Sequence, residues 1–174
     1  MRFIKAFLVG VSGLFIIVTL FSLLIPSTVQ VVRTVLINST TSPKVAEQVS
    51  EFKQWKNWHP IFTADSAAIT ETDNAAVYKI IHRGKELFIT KQFSDSAVVK
   101  FLLQSKGEND LSNEIHFTTL PAQEVVQVSW VATTRLHWYP WEKFYAIFID
   151  KLTGSGYEQA LNGLKNYLEK YPSK

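Results

Sequence analysis

From Tyr157 to Tyr171 the apolar residues fall at Tyr157, Ala160, Leu161, Leu164, Tyr167, Leu168 and Tyr171. That three-four spacing is one face of a single helix. Gly154-Ser155-Gly156 precedes it, so Ser155 is placed to cap the helix, and Pro172 is placed to end it. A helix of about 25 Å, from its rise per residue, needs a long apolar surface to lie against. What precedes it in the chain is strand after strand. The expectation is therefore an α+β body: a curved antiparallel sheet wrapped around one long C-terminal helix.

The strands follow from runs of β-branched and aromatic residues broken by turn signals. Thr28 to Asn38 is the first, and a weak run covers Ala67 to Thr70. Ala75 to His82 turns at Arg83-Gly84-Lys85 into Glu86 to Phe93 as a hairpin. Ala97 to Gln104, Leu111 to Thr119 and Glu124 to Leu136 complete the set, separated by a turn through Gly107 and by Pro121-Ala122. In the last strand Val126, Val128, Trp130, Ala132, Thr134 and Leu136 share the apolar face. Val99, Phe101 and Leu103 form another, and Leu111, Ile115 and Phe117 a third, interrupted by Asn113. Trp141 to Leu152 reads as a short helix before the long one.

The first segment is of another kind. Phe7 to Ile25 holds no charged residue and only Ser12, Thr19 and Ser22 as polar side chains. Such a stretch spans roughly 30 Å of hydrocarbon. The rival reading is a cleaved signal peptide, but the run is long for one and no A-x-A-like site follows it. Residues 1–27 are thus expected to be a transmembrane anchor and residues 28–174 the folded domain, with the bilayer contacted through residues 7–25. Arg2 and Lys5 lie on one side of the segment, and Arg33 is the first charge on the other. This bias places the N-terminus in the cytoplasm and the domain, in a bacterium, in the periplasm.

Charge and composition exclude several classes. Taking Arg2 and Lys5 from the 18 basic residues leaves 16 against 15 acidic ones, no footprint for nucleic acid. The absence of cysteine removes thiolate nucleophiles and Cys-type metal sites. His59, His82, His116 and His137 show no metal-ligand spacing, so neither a metal nor a cofactor is expected. No nucleophile elbow or phosphate-binding glycine loop is present.

Between the first strand and the meander, Ser42-Pro43 opens a short helix, Lys44 to Phe52, followed by Trp55-Lys56-Asn57-Trp58-His59-Pro60. The two tryptophans share a helical face and read as core or as the rim of a cavity. The first strand running into Ser42-Pro43-Lys44-Val45, the W-x-x-W-x-P motif, and the ending Asp150-Lys151-Leu152-Thr153-Gly154 with its long helix together resemble the START-like, birch-pollen-allergen-like helix-grip superfamily (SRPBCC). Within it the polyketide cyclase/dehydrase-like branch is the most similar, over about Val29 to Tyr171. The resemblance implies a sheet that grips the C-terminal helix and an internal cavity between them. It also implies hydrophobic ligands there, and in a minority of members a reaction, with no universal catalytic motif to carry over.

The candidate ligand-binding residues are Trp58, Tyr78, Phe101, Phe117, Trp130, Thr134, Tyr157, Leu161 and Leu164, with ordinary core packing as the alternative for each. Were there catalysis, Tyr78, His82, Asn113 and Thr134 would be the polar groups facing an apolar cavity. Three functions stay open: a membrane-anchored binder of a hydrophobic or lipid-like small molecule, an accessory subunit docked on other membrane proteins, and a cyclase-type enzyme. For the second, Gly10, Ser12 and Gly13 give the anchor a small-residue stripe.

Overall fold

The computed structural model describes residues 2–38, 40–63, 67–72, 76–82, 84–120 and 125–171. Ser39, Asp73, Ala75, Arg83, Pro121-Ala122, Glu124 and the expected helix stop Pro172 lie outside them. Helix α1 (Arg2–Ser22) leads into strand β1 (Thr28–Asn38), helix α2 (Ser42–Ser50), a 3-10 turn (Phe52–Asn57) and the short α3 (Pro60–Thr63). Strands β2 (Ala67–Glu71), β3 (Val77–His82), β4 (Lys85–Ser94), β5 (Val98–Ser105), β6 (Leu111–Leu120) and β7 (Val125–Arg135) follow. Helices α4 (Pro140–Ala146) and α5 (Ile149–Lys170) end the chain.

All seven strands form one antiparallel sheet in the order β1-β7-β6-β5-β4-β3-β2. Each strand from β2 to β6 pairs with the next in sequence, and β1 closes onto β7 from the far end of the chain. The tight turns rest on Gly84 and Gly107, whose positive φ of 77° and 82° other residues adopt at a cost. A register shift between Lys91 and Phe93 bends β4, as bulges do. The alternation in β7 decides its faces: Val126, Val128, Trp130 and Ala132 are buried, while Gln127, Ser129, Val131 and Thr133 are half-buried.

Helix α5 lies against the concave side with Ala160, Leu161, Leu164 and Leu168 buried. Polar ties hold it to β1. Arg33 makes two bonds to the Asp150 carboxylate at 2.9 and 3.2 Å, and this pairing holds Asp150 below the usual carboxylate range. At the other end Glu169 Oε1 accepts from the Asn38 backbone N–H and side-chain amide at 3.0 and 2.9 Å.

The long helix departs from the sequence expectation at its start. It begins at Ile149, eight residues before Tyr157, and runs straight through Gly154-Ser155-Gly156, with Ser155 exposed on its flank and no cap. Gly154 is there for a close approach: a Cβ on it would sit 2.0 Å from Arg33 Nη2. Accordingly α4 stops at Ala146, short of the expected Leu152. At α2 the cap position is Thr41, without a side-chain bond, and Ser42 Oγ instead meets Thr119 Oγ1 at 2.7 Å.

Gly163 is a second contact glycine within α5. A Cβ there would lie 2.2 Å from the Trp58 carbonyl oxygen, so the W-x-x-W-x-P segment packs directly on the helix backbone. Gly163→Ala gains about 1 kcal/mol of helix propensity but forces backbone apart, an overpacking cost of about 1–3 kcal/mol. Net destabilisation in chemical unfolding is expected. Gly156→Ala, with open space at its Cβ, is expected to be neutral or stabilising.

Candidate ligand cavity

The core is built around aromatic rings delivered by four elements. Trp55, from the 3-10 turn, packs edge-on against Phe52 (5.1 Å), Phe101 of β5 (5.5 Å) and Trp130 of β7 (5.9 Å). Trp130 in turn meets Tyr157 of α5 at 5.2 Å. Each buried indole N–H has an acceptor: Val49 O for Trp55 (2.9 Å), Gln48 O for Trp58 (3.3 Å) and Asn113 Oδ1 for Trp130 (2.9 Å). These bonds orient the rings beside the space they border.

That space is a cavity of about 320 Å³ between sheet and helix. Trp55, His59 and Phe62 wall one side, and Ile80, Ile89, Phe101 and Trp130 form the sheet floor. Thr153, Gly156 and Tyr157 of α5 border it on the helix side, and the cavity is partly open. The volume stands at the lower end of small-molecule sites, roughly 300–1,000 Å³. A second chamber of about 650 Å³, termed outer for its place beside α4, adjoins it, and Leu87, Leu103, Leu111, Thr153 and Tyr157 line both. The outer chamber is more polar, bounded by Glu108, Asn109, Thr134, His137 and Glu142 as well as Tyr139 and Tyr145.

Three groups set the chemistry of the inner cavity. His59 lies with its ring stacked on Trp55 (5.1 Å, 5° between planes), and burial lowers its pKa from 6.5 to about 4, so it is neutral. Its Nδ1 accepts from the Ile61 backbone N–H at 3.4 Å, which places the proton on Nε2. Burial also pushes the Tyr157 hydroxyl up to about 12. Neither His59 Nε2 nor the Tyr157 hydroxyl has a hydrogen-bond partner among the described residues. Asn113, 1% exposed, is committed: its Nδ2 donates to Leu111 O at 3.0 Å and its Oδ1 accepts from Trp130. The cavity is thus a mainly apolar slot into which His59 and Tyr157 bring neutral donors, with His82, Asn113, Thr153 and Gln159 as its other polar lining residues.

Of the residues singled out from the sequence, Phe101, Trp130, Tyr157, Asn113 and His82 line the inner cavity. Thr134 lines the outer chamber and donates to Asp110 O at 3.1 Å. Trp58, Tyr78, Phe117, Leu161 and Leu164 are buried in the core and line neither chamber. Tyr78, for instance, spends its ring on Phe52, at 5.0 Å. His59, which the sequence does not mark as a lining group, also lines the inner cavity: within W-x-x-W-x-P only the tryptophans carry a burial signal. Leu87 and Ile89 were not singled out either, although their alternation on β4, across from Ser105 and Leu103 of β5, is a signal that could have found them. Among the described residues no group of three His, Asp or Glu side chains is placed to hold a metal ion.

Solved structures with the same architecture are numerous. A START superfamily protein from Mycobacterium smegmatis superposes with a TM-score of 0.59 over 82% of this chain and 98% of its own, at 12% identity. The chain has a START-like fold. The protein XoxI from Bacillus cereus (TM-score 0.62, 12% identity, 83% and 99% covered) and a protein of unknown function from Staphylococcus aureus (0.62, 14%, 82% and 96%) share it. No protein-family model and no curated protein matches the sequence. In all three comparisons the shared region falls short of the whole chain. Helix α1, by length and composition, suffices to cross a membrane, and its apolar span is not buried against the body.

Proposed function

We propose that the chain is a membrane-anchored binding protein for a hydrophobic, lipid-like small molecule, held in the cavity between the sheet and α5. The observation that carries this reading is an apolar cavity of about 320 Å³ bordered by Trp55 and Trp130, whose N–H groups are bonded elsewhere. The two donors, His59 Nε2–H and the Tyr157 hydroxyl, suit a ligand with an apolar body and one neutral acceptor, a carbonyl or hydroxyl oxygen. Among the described residues no Lys or Arg lines the cavity, so a carboxylate would enter without a permanent cation to meet it. In this reading α1 crosses the bilayer with Arg2 and Lys5 in the cytoplasm and holds the domain in the periplasm.

Catalysis of the cyclase type is less well supported. A group that trades protons near neutral pH needs a pKa near that value. His59 at about 4 and Tyr157 at about 12 stand far from it on either side.

The test is photocrosslinking of the full chain in phospholipid vesicles with a diazirine-bearing fatty alcohol. Adducts are expected on β5, β7 and α5 around Phe101, Trp130 and Tyr157, in addition to α1. Leu103 lines both chambers, so Leu103→Trp is expected to abolish the body adducts and leave those on α1. Labelling confined to α1 in the unaltered chain would contradict the reading.

A further inference from the structure

A second feature concerns the end of the body where α1 joins it. Lys143 of α4, 3% exposed, donates from Nζ to Ile25 O at 2.9 Å and to Ser27 Oγ at 2.7 Å. The amine therefore clamps α4 onto the link between α1 and β1. Around this clamp the chain presents large apolar side chains to the outside: Trp138, Trp141, Ile147, Phe148 and Leu152 are all more than half exposed, Trp141 at 65% and Phe148 at 55%. Trp141 is further stiffened by stacking on Tyr139 (5.0 Å, 3°). Exposed rings of this size, next to one another and next to the end of an apolar helix, are not the surface of a body surrounded by water.

The strand register places the outer chamber at the same end. Thr28, the first residue of β1, pairs with Arg135; Leu111 pairs with Thr134, and Leu103 with Leu111. Those are the residues of the chamber and its immediate neighbours. The opposite end of the sheet, with Asn38, Val125 and Val98, carries none of them. Tyr139, Glu142 and Tyr145 of the α4 region form the chamber's rim, and His137 is fixed there by Glu142, which accepts from its backbone N–H at 3.0 Å.

We infer that α4 and the first turn of α5 rest in the interfacial layer of the bilayer that α1 enters, so that the outer chamber opens onto lipid. This rests on the reading of α1 as a membrane span. Tryptophan and tyrosine belong at that level, where an amphipathic ring has one side apolar and the other wet. The clamp by Lys143 fixes the height of α4 relative to the end of α1. A lipid-like molecule then moves between the bilayer and the chamber without crossing water, past Tyr139 and Tyr145.

The chain has no cysteine, so single nitroxide labels can be placed freely on the full-length protein in vesicles of phosphatidylethanolamine and phosphatidylglycerol. Leu14→Cys reports on α1. Trp141→Cys and Phe148→Cys, two exposed sites, report on the patch. Ser96→Cys reports on the distant end of the sheet. Labels at 14, 141 and 148 are expected to show raised collision with oxygen and lost collision with a water-soluble nickel chelate, with the reverse at 96. Lipid exposure at 14 with aqueous exposure at 141 and 148 would overturn the inference and leave the anchor standing. Low collision with both reagents at 141 and 148, the mark of a face covered by protein, would overturn it too. Aqueous exposure at 14 would remove the anchor and the inference together.

Discussion

Trp130→Ala is expected to destabilise the body by about 3–5 kcal/mol, the cost of removing a buried tryptophan ring. That is a large share of a domain's total stability of about 5–15 kcal/mol. The ring touches Trp55, Phe101 and Tyr157, so its loss loosens the three elements that meet there. Trp130→Phe keeps most of the ring and removes the N–H that Asn113 Oδ1 accepts. Leaving that buried oxygen unpaired costs about 1–3 kcal/mol. Adding Asn113→Leu to Trp130→Phe is expected to recover part of the loss, because both polar partners are then gone. Chemical unfolding in mild detergent, followed by near-ultraviolet circular dichroism, separates the three variants. Equal stability of Trp130→Ala and the unaltered chain would mean that the ring is not part of the core.

The second large effect is on pH. His59 titrates near 4 in the folded chain and near 6.5 when unfolded. As pH falls below 6.5 the unfolded chain takes up the proton first, so stability present above 6.5 is lost progressively down to about 4. A shift of this size corresponds to about 3 kcal/mol. Carboxylates contribute to acid unfolding as well, so the readout is the difference between the unaltered chain and His59→Leu. The unaltered chain is expected to lose about 3 kcal/mol more between pH 7 and pH 4. Parallel pH profiles would show that the imidazole is not buried as described.

The architecture was legible because two periodicities spoke clearly. The period of two in Val126 to Leu136 and the three-four spacing from Tyr157 define a sheet face and a helix face, which can only bury each other. What the spacing did not carry was where the helix starts. Gly154 looks like a helix start in the sequence, whereas in the structure it is the place where Arg33 crosses the helix on its way to Asp150, a contact 117 residues apart along the chain. Gly163 hides the same kind of contact with Trp58. The cavity was half legible for a related reason. Strand alternation and helix spacing tell which side of an element faces inward, and so single out Phe101 and Trp130 on strands and Tyr157 on α5. They do not tell which inward residues meet another side chain and which meet empty space. Phe117, Leu161 and Leu164 point inward as well and find partners. His59 carried no signal of its own, since a histidine beside two tryptophans has the same pattern whether it faces core or cavity.

Native mass spectrometry of the full-length chain, extracted in mild detergent from its own cells, tests the central claim most directly. A retained small-molecule mass is expected, absent from Leu103→Trp and weakened in Tyr157→Phe, which loses one of the two donors. A chain that carries no small molecule, in the unaltered form and in Leu103→Trp alike, and that leaves the membrane bound to other proteins would contradict the binding account. The cavity would then be a packing feature of an assembly subunit.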